Sequence, residues 1–143
     1  MQPDKRHVNP THLPAKAWVQ YQPLGVVGII TPWNYPLLLA ISPLICALAA
    51  GNRAMLKMSS FTPKTGEILK RALGEAFSED QVAVITGGGI VSDAFSRLPF
   101  NQMTFTGSTN VGRTVMAAAA ENLTPVLLEL GGKSPAIIHE SVP

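Results

Sequence analysis

Short β-branched runs alternate with longer Leu- and Ala-rich stretches along the chain, and this alternation sets the expected fold. The first strand is read at Gly25–Thr31, where Val26, Val27, Ile29 and Ile30 form a run suited to burial on both faces. After Pro36 the pattern turns helical and stops near Gly51. Ala54–Met58 is the second strand. Thr62 stands as a helix N-cap with Pro63 in the first helical position, where a missing N–H costs nothing. Ile68, Leu69, Ala72, Leu73 and Ala76 then fall on one helical stripe. A third strand at Val82–Thr86 is closed by Gly87-Gly88-Gly89, and a shorter helix covers Val91–Arg97. Gln102–Phe105 is the fourth strand, and Gly107-Ser108-Thr109 turns it into a helix running to about Glu121. Val126–Leu130 and Ala136–His139 read as two more strands, separated by Gly131-Gly132.

Strands and helices alternating at this spacing predict right-handed crossovers and a largely parallel sheet. Strands covered on both faces should be continuously apolar, and these are. The expected class is therefore α/β, a partial doubly wound parallel sheet over residues 23–143. It is preceded by a polar, Pro-punctuated lead-in over residues 1–22, expected to be floppy.

Composition narrows the function classes. Hydrophobic residues are 46% of the 143 and charged residues 14%, which excludes intrinsic disorder. The net charge of +2 is scattered without a basic stripe, so no nucleic-acid partner is expected. The single cysteine, Cys46, cannot staple a secreted fold or build a Cys-rich metal site, and it points to a reducing compartment. His7, His12 and His139 lack metal-ligand spacing, so no metal is expected. The start of the chain has no apolar core of a secretory signal. Residues Ala17 to Asn52 are free of charge, but Pro23, Pro32, Pro36 and Pro43 divide them. A bilayer requires one unbroken hydrogen-bonded segment, so no membrane span is expected.

In open parallel sheets ligands bind beyond the carboxyl ends of the strands, so the residues just after each strand are the candidates. Ser108 follows a strand and opens a helix, where unpaired N–H groups and the helix dipole suit a pyrophosphate; equally, Ser108 or Thr109 serves only as a cap. The dinucleotide fingerprint G-x-G-x-x-G is absent at this turn. Lys57 ends an apolar strand, placed either to bond ribose hydroxyls or a phosphate, or to snorkel to water. Asn34 lies between two prolines, as an oxyanion donor or as a turn asparagine bonded to its own backbone. Glu129 sits in the apolar run Val126–Leu130; buried, its raised pKa suits general-base work, whereas an exposed edge position leaves it structural. Cys46, in Leu44-Ile45-Cys46-Ala47-Leu48, reads as a small hydrophobe in apolar company rather than a nucleophile.

Taken together, these runs resemble the cofactor-binding region of the aldehyde dehydrogenase family. The matching segments are Pro32-Trp33-Asn34-Tyr35-Pro36, Ala49-Ala50-Gly51-Asn52, Leu56-Lys57, Phe105-Thr106-Gly107-Ser108-Thr109 with Val111-Gly112, and Leu128-Glu129-Leu130-Gly131-Gly132-Lys133-Ser134-Pro135. The last is the family's glutamate signature. Within the family, Leu56-Lys57-Met58-Ser59 and Glu121-Asn122-Leu123-Thr124-Pro125 are most similar to coniferyl aldehyde dehydrogenases.

The resemblance implies a Rossmann-like NAD(P)-binding domain, incomplete over 23–143, in a cytoplasmic, homo-oligomeric full-length enzyme acting on a small-molecule aldehyde. By the same resemblance Asn34 is the oxyanion donor and Glu129 the general base. Lys57 contacts the adenosine ribose, Gly107 and Ser108 the pyrophosphate, while Thr31, Trp33 and Val111 line the cofactor cleft and Leu130 lies near the nicotinamide. The family's chemistry is covalent: a cysteine thiolate attacks the aldehyde, hydride leaves to NAD(P)+, and the glutamate activates water to hydrolyse the thioester.

Two departures shape the expectation. The family nucleophile lies beyond the glutamate, and Cys46 cannot stand in for it, so this chain is expected to be a fragment without turnover of its own. A non-catalytic nucleotide-binding module or an inactive truncated product is the alternative. The family commonly places a glutamate three positions after the lysine, where this chain has Ser60. Without a carboxylate to repel a 2′-phosphate, either NAD or NADP is admissible.

Overall fold

The computed structural model describes residues 2–140; Met1 and residues 141–143, the outermost positions of the two expected segments, lie outside the described residues. In chain order the elements are β1 (Asp4–Arg6), a short 3-10 turn (Pro10–His12), β2 (Ala17–Val19), β3 (Val26–Ile30), α1 (Pro36–Ala49), β4 (Arg53–Lys57) and α2 (Pro63–Ala76). They continue with β5 (Val82–Ile85), α3 (Gly89–Ser96), β6 (Gln102–Gly107), α4 (Thr109–Ala120) and β7 (Val126–Leu130).

Five strands form one parallel sheet in the order β5-β4-β3-β6-β7. The chain enters at the centre with β3, steps outward through β4 to β5, then returns across β3 to lay down β6 and β7. Because successive side chains on a strand point to opposite faces, this sheet carries two cores. Ile29 joins Ala54, Leu56, Val82 and Val84 beneath Ala40, Leu44 and Ala47 of α1 and Leu69 of α2. Its neighbour Ile30 joins Met103 and Phe105 beneath Phe95 of α3 and Val115 of α4. The doubly wound α/β architecture read from the sequence is thus the observed one.

The central strand is held at its entry by two side-chain amides. Oδ1 of buried Asn52 accepts the N–H groups of Leu24 (2.6 Å) and Gly25 (3.0 Å), while its Nδ2 donates to the carbonyl of Ala47 (3.2 Å). Oδ1 of Asn101 accepts the Val26 N–H at 2.8 Å, and the Asn101 N–H returns to the Val26 carbonyl at 2.9 Å. Gly28 then lets β3 pass under the Phe100 ring, since a Cβ there would fall 2.7 Å from two ring carbons.

Several expectations are corrected. The lead-in carries regular structure: β1 and β2 pair antiparallel, with Lys5 opposite Trp18. Strands of three exposed residues leave no apolar pattern to read. Ala136–His139 forms no strand; Ile137 and Ile138 are exposed and no ladder partner exists for them among the described residues. Thr62 occupies the N-cap position of α2 but makes no capping hydrogen bond, and its buried Oγ1 has no partner among the described residues. Cys46 is exposed on α1 rather than enclosed in apolar company, because the helix is apolar on its outer face as well as its inner one. Among the described residues no helix is long and apolar enough to cross a membrane.

Candidate functional site

The turn from β3 outward to β4 on one side and back to β6 on the other opens a crevice at the carboxyl ends of the strands. A cavity of about 710 Å3 lies there, within the range of small-molecule sites. Its lining brings together all ten candidate residues: Thr31, Trp33, Asn34, Lys57, Ser60, Gly107, Ser108, Val111, Glu129 and Leu130. A second cavity of about 480 Å3, between Lys5 and Trp18 in the lead-in, contains none of them.

These residues stand at the carboxyl ends of the strands or in the turns and first helical turns that follow them. After β3, Thr31 is buried and its hydroxyl donates to the Lys57 carbonyl at 3.4 Å. The chain then turns through Tyr35 at φ 50°, a left-handed conformation uncommon for a bulky residue, and enters α1 at Pro36. This bend presents Trp33 and Asn34 outward. The Asn34 amide has no hydrogen-bond partner among the described residues, unlike an asparagine closing a turn on its own backbone.

Lys57, the last residue of β4, is only 2% exposed, so it does not snorkel to water. Its Nζ donates to the carbonyls of Met58 and Gly87, both at 2.8 Å. Burial lowers its pKa from the ordinary lysine value. Two of the three ammonium donors are thereby occupied, leaving one for a guest in the cavity that Lys57 lines. The Gly87 carbonyl is presented by a backbone at φ +141°, where any side chain would be strained and would also strike Val91.

After β6 the chain keeps its backbone bare at Gly107, where a Cβ would fall 2.6 Å from the Phe105 ring. Ser108 is the N-cap of α4, and its hydroxyl accepts the Val111 N–H at 3.4 Å. The capping role is therefore observed. It leaves the first-turn N–H groups of Thr109 and Asn110 without helical acceptors, at the positive end of the dipole.

Glu129 pairs in register with Thr106, and Leu130 with Gly107. Glu129 is exposed, on a strand with only β6 beside it among the described residues. Of the two positions the sequence left open for it, the exposed edge is the one observed. Cys46 does not line the cavity. Sequence reasoning passed over Ser59, Phe61 and Ser92, which also line it. The loop after β4 carried a signal for Ser59 and Phe61, whereas nothing local marks Ser92 on α3. Across the cleft the arrangement offers a buried ammonium, a helix N-terminus, a free amide donor and an exposed carboxylate: means to bind an anion and to polarise and deprotonate at its far end.

The aldehyde dehydrogenase family model matches residues 2–142. A Pseudomonas aeruginosa protein named probable coniferyl aldehyde dehydrogenase is 63% identical over 143 residues, covering 100% of this chain and 30% of that protein. A substrate-bound structure of Staphylococcus aureus AldH superposes with a TM-score of 0.92 at 43% identity, over 97% of this chain and 30% of that one. A Mycobacterium tuberculosis aldehyde dehydrogenase complexed with NAD+ gives 0.81 at 41% identity, over 98% of this chain and 29% of that one. The chain spans about 30% of the length of these relatives.

Proposed function

Since the chain belongs to the aldehyde dehydrogenase family, we propose that it forms the cofactor cleft of an enzyme oxidising an aldehyde to a carboxylic acid with NAD or NADP. The observation that carries this reading is the single cavity on which Asn34, Lys57, Ser108 and Glu129 converge. The bare backbone at Gly107, the open first turn of α4 and the unspent donor of Lys57 fit a dinucleotide's pyrophosphate and ribose. When bound, the nicotinamide supplies hydride acceptance.

Within this chain Thr31, Trp33, Val111 and Leu130 are the cleft walls, and Gly107 and Ser108 cradle the pyrophosphate. Lys57 and Ser60 face the adenosine ribose. Asn34 donates its amide N–H to the oxygen on which charge develops, a preorganised dipole that need not reorient during reaction. Glu129 takes the proton of an attacking water. Cys46 is not in the cavity, so we assign the covalent nucleophile to sequence that the longer relatives have beyond these residues.

The relative named for coniferyl aldehyde favours an aromatic, coniferyl-type substrate. Residues 23–143 are then an incomplete NAD(P)-binding domain, and the complete enzyme is a cytoplasmic homo-oligomer. A non-catalytic nucleotide-binding module is the second reading, since the groups that fit a dinucleotide all line one cavity of this chain.

Calorimetric titration of NAD+ and NADP+ into the 143-residue chain tests the cleft, with Ser108→Ala and Lys57→Met as controls. Saturable binding weakened in both variants is the expected result. A chain folded by circular dichroism that takes neither nucleotide overturns the proposal. Hydride transfer to NAD(P)+ with coniferyl aldehyde, assayed on the complete reading frame, separates the enzyme from the module.

A further inference from the structure

The individual charges are scattered along the chain, but their surplus is not. Residues 23–143 carry equal numbers of basic and acidic side chains. The whole net charge of +2 therefore falls on the lead-in, where Lys5, Arg6 and Lys16 stand against Asp4 alone. All three cations line the second cavity, of about 480 Å3, and no carboxylate among the described residues lines it. Arg6 Nη2 already holds Asp4 Oδ2 at 2.7 Å. The Lys5 and Lys16 ammoniums have no partner among the described residues. Like charges lining one cavity repel, and a bound anion removes that cost.

Apolar surface lies beside the charge. Lys5 stands directly opposite Trp18 across the β1–β2 ladder, so the ammonium and the indole share a face. Trp18 is 59% and Leu13 67% exposed, and both line the cavity. The wall that carries Leu13 is preformed by hydrogen-bonded turns. Asn9 Oδ1 accepts the Thr11 N–H at 3.1 Å, and the Leu13 N–H donates to the Pro10 carbonyl at 3.2 Å. The Ala15 N–H donates to the His12 carbonyl at 2.9 Å. A positive rim beside a large flat apolar ring suits a guest with a negative charge at one end and a ring at the other.

We propose that this cavity binds an aromatic carboxylate, with Lys5 and Lys16 holding the carboxylate and Trp18 stacking on the ring. The site is separate from the cleft and shares none of its lining residues. Through the aldehyde-oxidation reading above, on which this one point rests, an aromatic carboxylate is also the chemical class of the enzyme's own product.

Calorimetric titration of the 143-residue chain with 4-hydroxy-3-methoxycinnamate tests the site. Three comparison probes dissect it: coniferyl alcohol has the same ring without the charge, octanoate has the charge without the ring, and inorganic phosphate has only charge. The cinnamate should saturate a single site, with its Kd raised about tenfold or more in the double variant Lys5→Met/Lys16→Met. Trp18→Leu should raise it about fivefold, and each comparison probe should bind at least about fivefold more weakly than the cinnamate. The double variant Lys5→Arg/Lys16→Arg keeps binding, and NAD+ affinity is unchanged in every variant. Should Trp18→Leu lose the wild-type circular dichroism, the lysine variants, both at exposed positions, carry the comparison alone. Cinnamate binding that survives the double methionine variant, octanoate or phosphate bound as tightly, or no cinnamate binding at all overturns the inference. A chain that binds the cinnamate here but neither NAD+ nor NADP+ keeps this site and removes the cofactor reading.

Discussion

Lys57 shows how one buried ion ties stability to the site. Its ammonium is 2% exposed and its pKa is lowered by burial, so the charged form is disfavoured in the folded chain. At pH values below its folded pKa both states carry the proton and the full desolvation cost is felt. As pH rises between the folded pKa and the unfolded value near 10.5, the folded chain releases its proton first. The unfolded state then binds more protons, and stability rises with pH. The urea midpoint should climb over this alkaline window in the wild type, and the climb should vanish in Lys57→Met. Parallel pH profiles for the two proteins would refute the assignment. Ser108 yields a second expectation at this scale. Replacing the cap with alanine should cost about 1 kcal/mol in urea unfolding, separately from any effect on nucleotide affinity.

Among the elements, β3 carries the most constraint, and its supports come from far along the chain. Asn52→Ala would leave the Leu24 and Gly25 N–H groups without their acceptor, at about 2–3 kcal/mol. Gly28→Ala would push a methyl into the Phe100 ring, at about 1–3 kcal/mol. Chemical denaturation of both variants checks these values, and neither substitution touches the cavity lining. Sequence pattern revealed elements of this kind because burial on two faces leaves a continuous apolar run such as Val26–Ile30. It failed where burial was absent or shared: β1 and β2 bury nothing, and Ile137-Ile138 is apolar yet unpaired. The candidate site was legible because every strand exit in a parallel sheet opens on one edge. The buried state of Lys57 and the exposed state of Glu129 were not, because each depends on neighbours supplied by other strands: Gly87 for the lysine, and a single flanking strand for the carboxylate.

At the scale of the molecule, both flanking strands of the sheet, β5 and β7, have one unpaired edge among the described residues. Leu38 and Ile45, two helical turns apart on α1, are both exposed, as is Leu127 on β7. Apolar groups gathered on an open surface favour association. Sedimentation velocity on the 143-residue chain should therefore show self-association that rises with concentration. The double substitution of Leu38 and Ile45 by lysine should reduce it, and a monodisperse monomer at all concentrations would contradict this reading.

The doubly wound order also has a consequence in time. Val26 is translated long before Asn101, yet the two exchange backbone and side-chain hydrogen bonds across 75 positions of the chain. At ordinary synthesis rates that interval is roughly 4 to 15 s. For that long the nascent central strand has one edge open to any extended segment nearby. The crevice between β3 and β6 takes shape only once the interval has passed, so substitutions that slow the docking of β6 should appear first as lost soluble yield during synthesis.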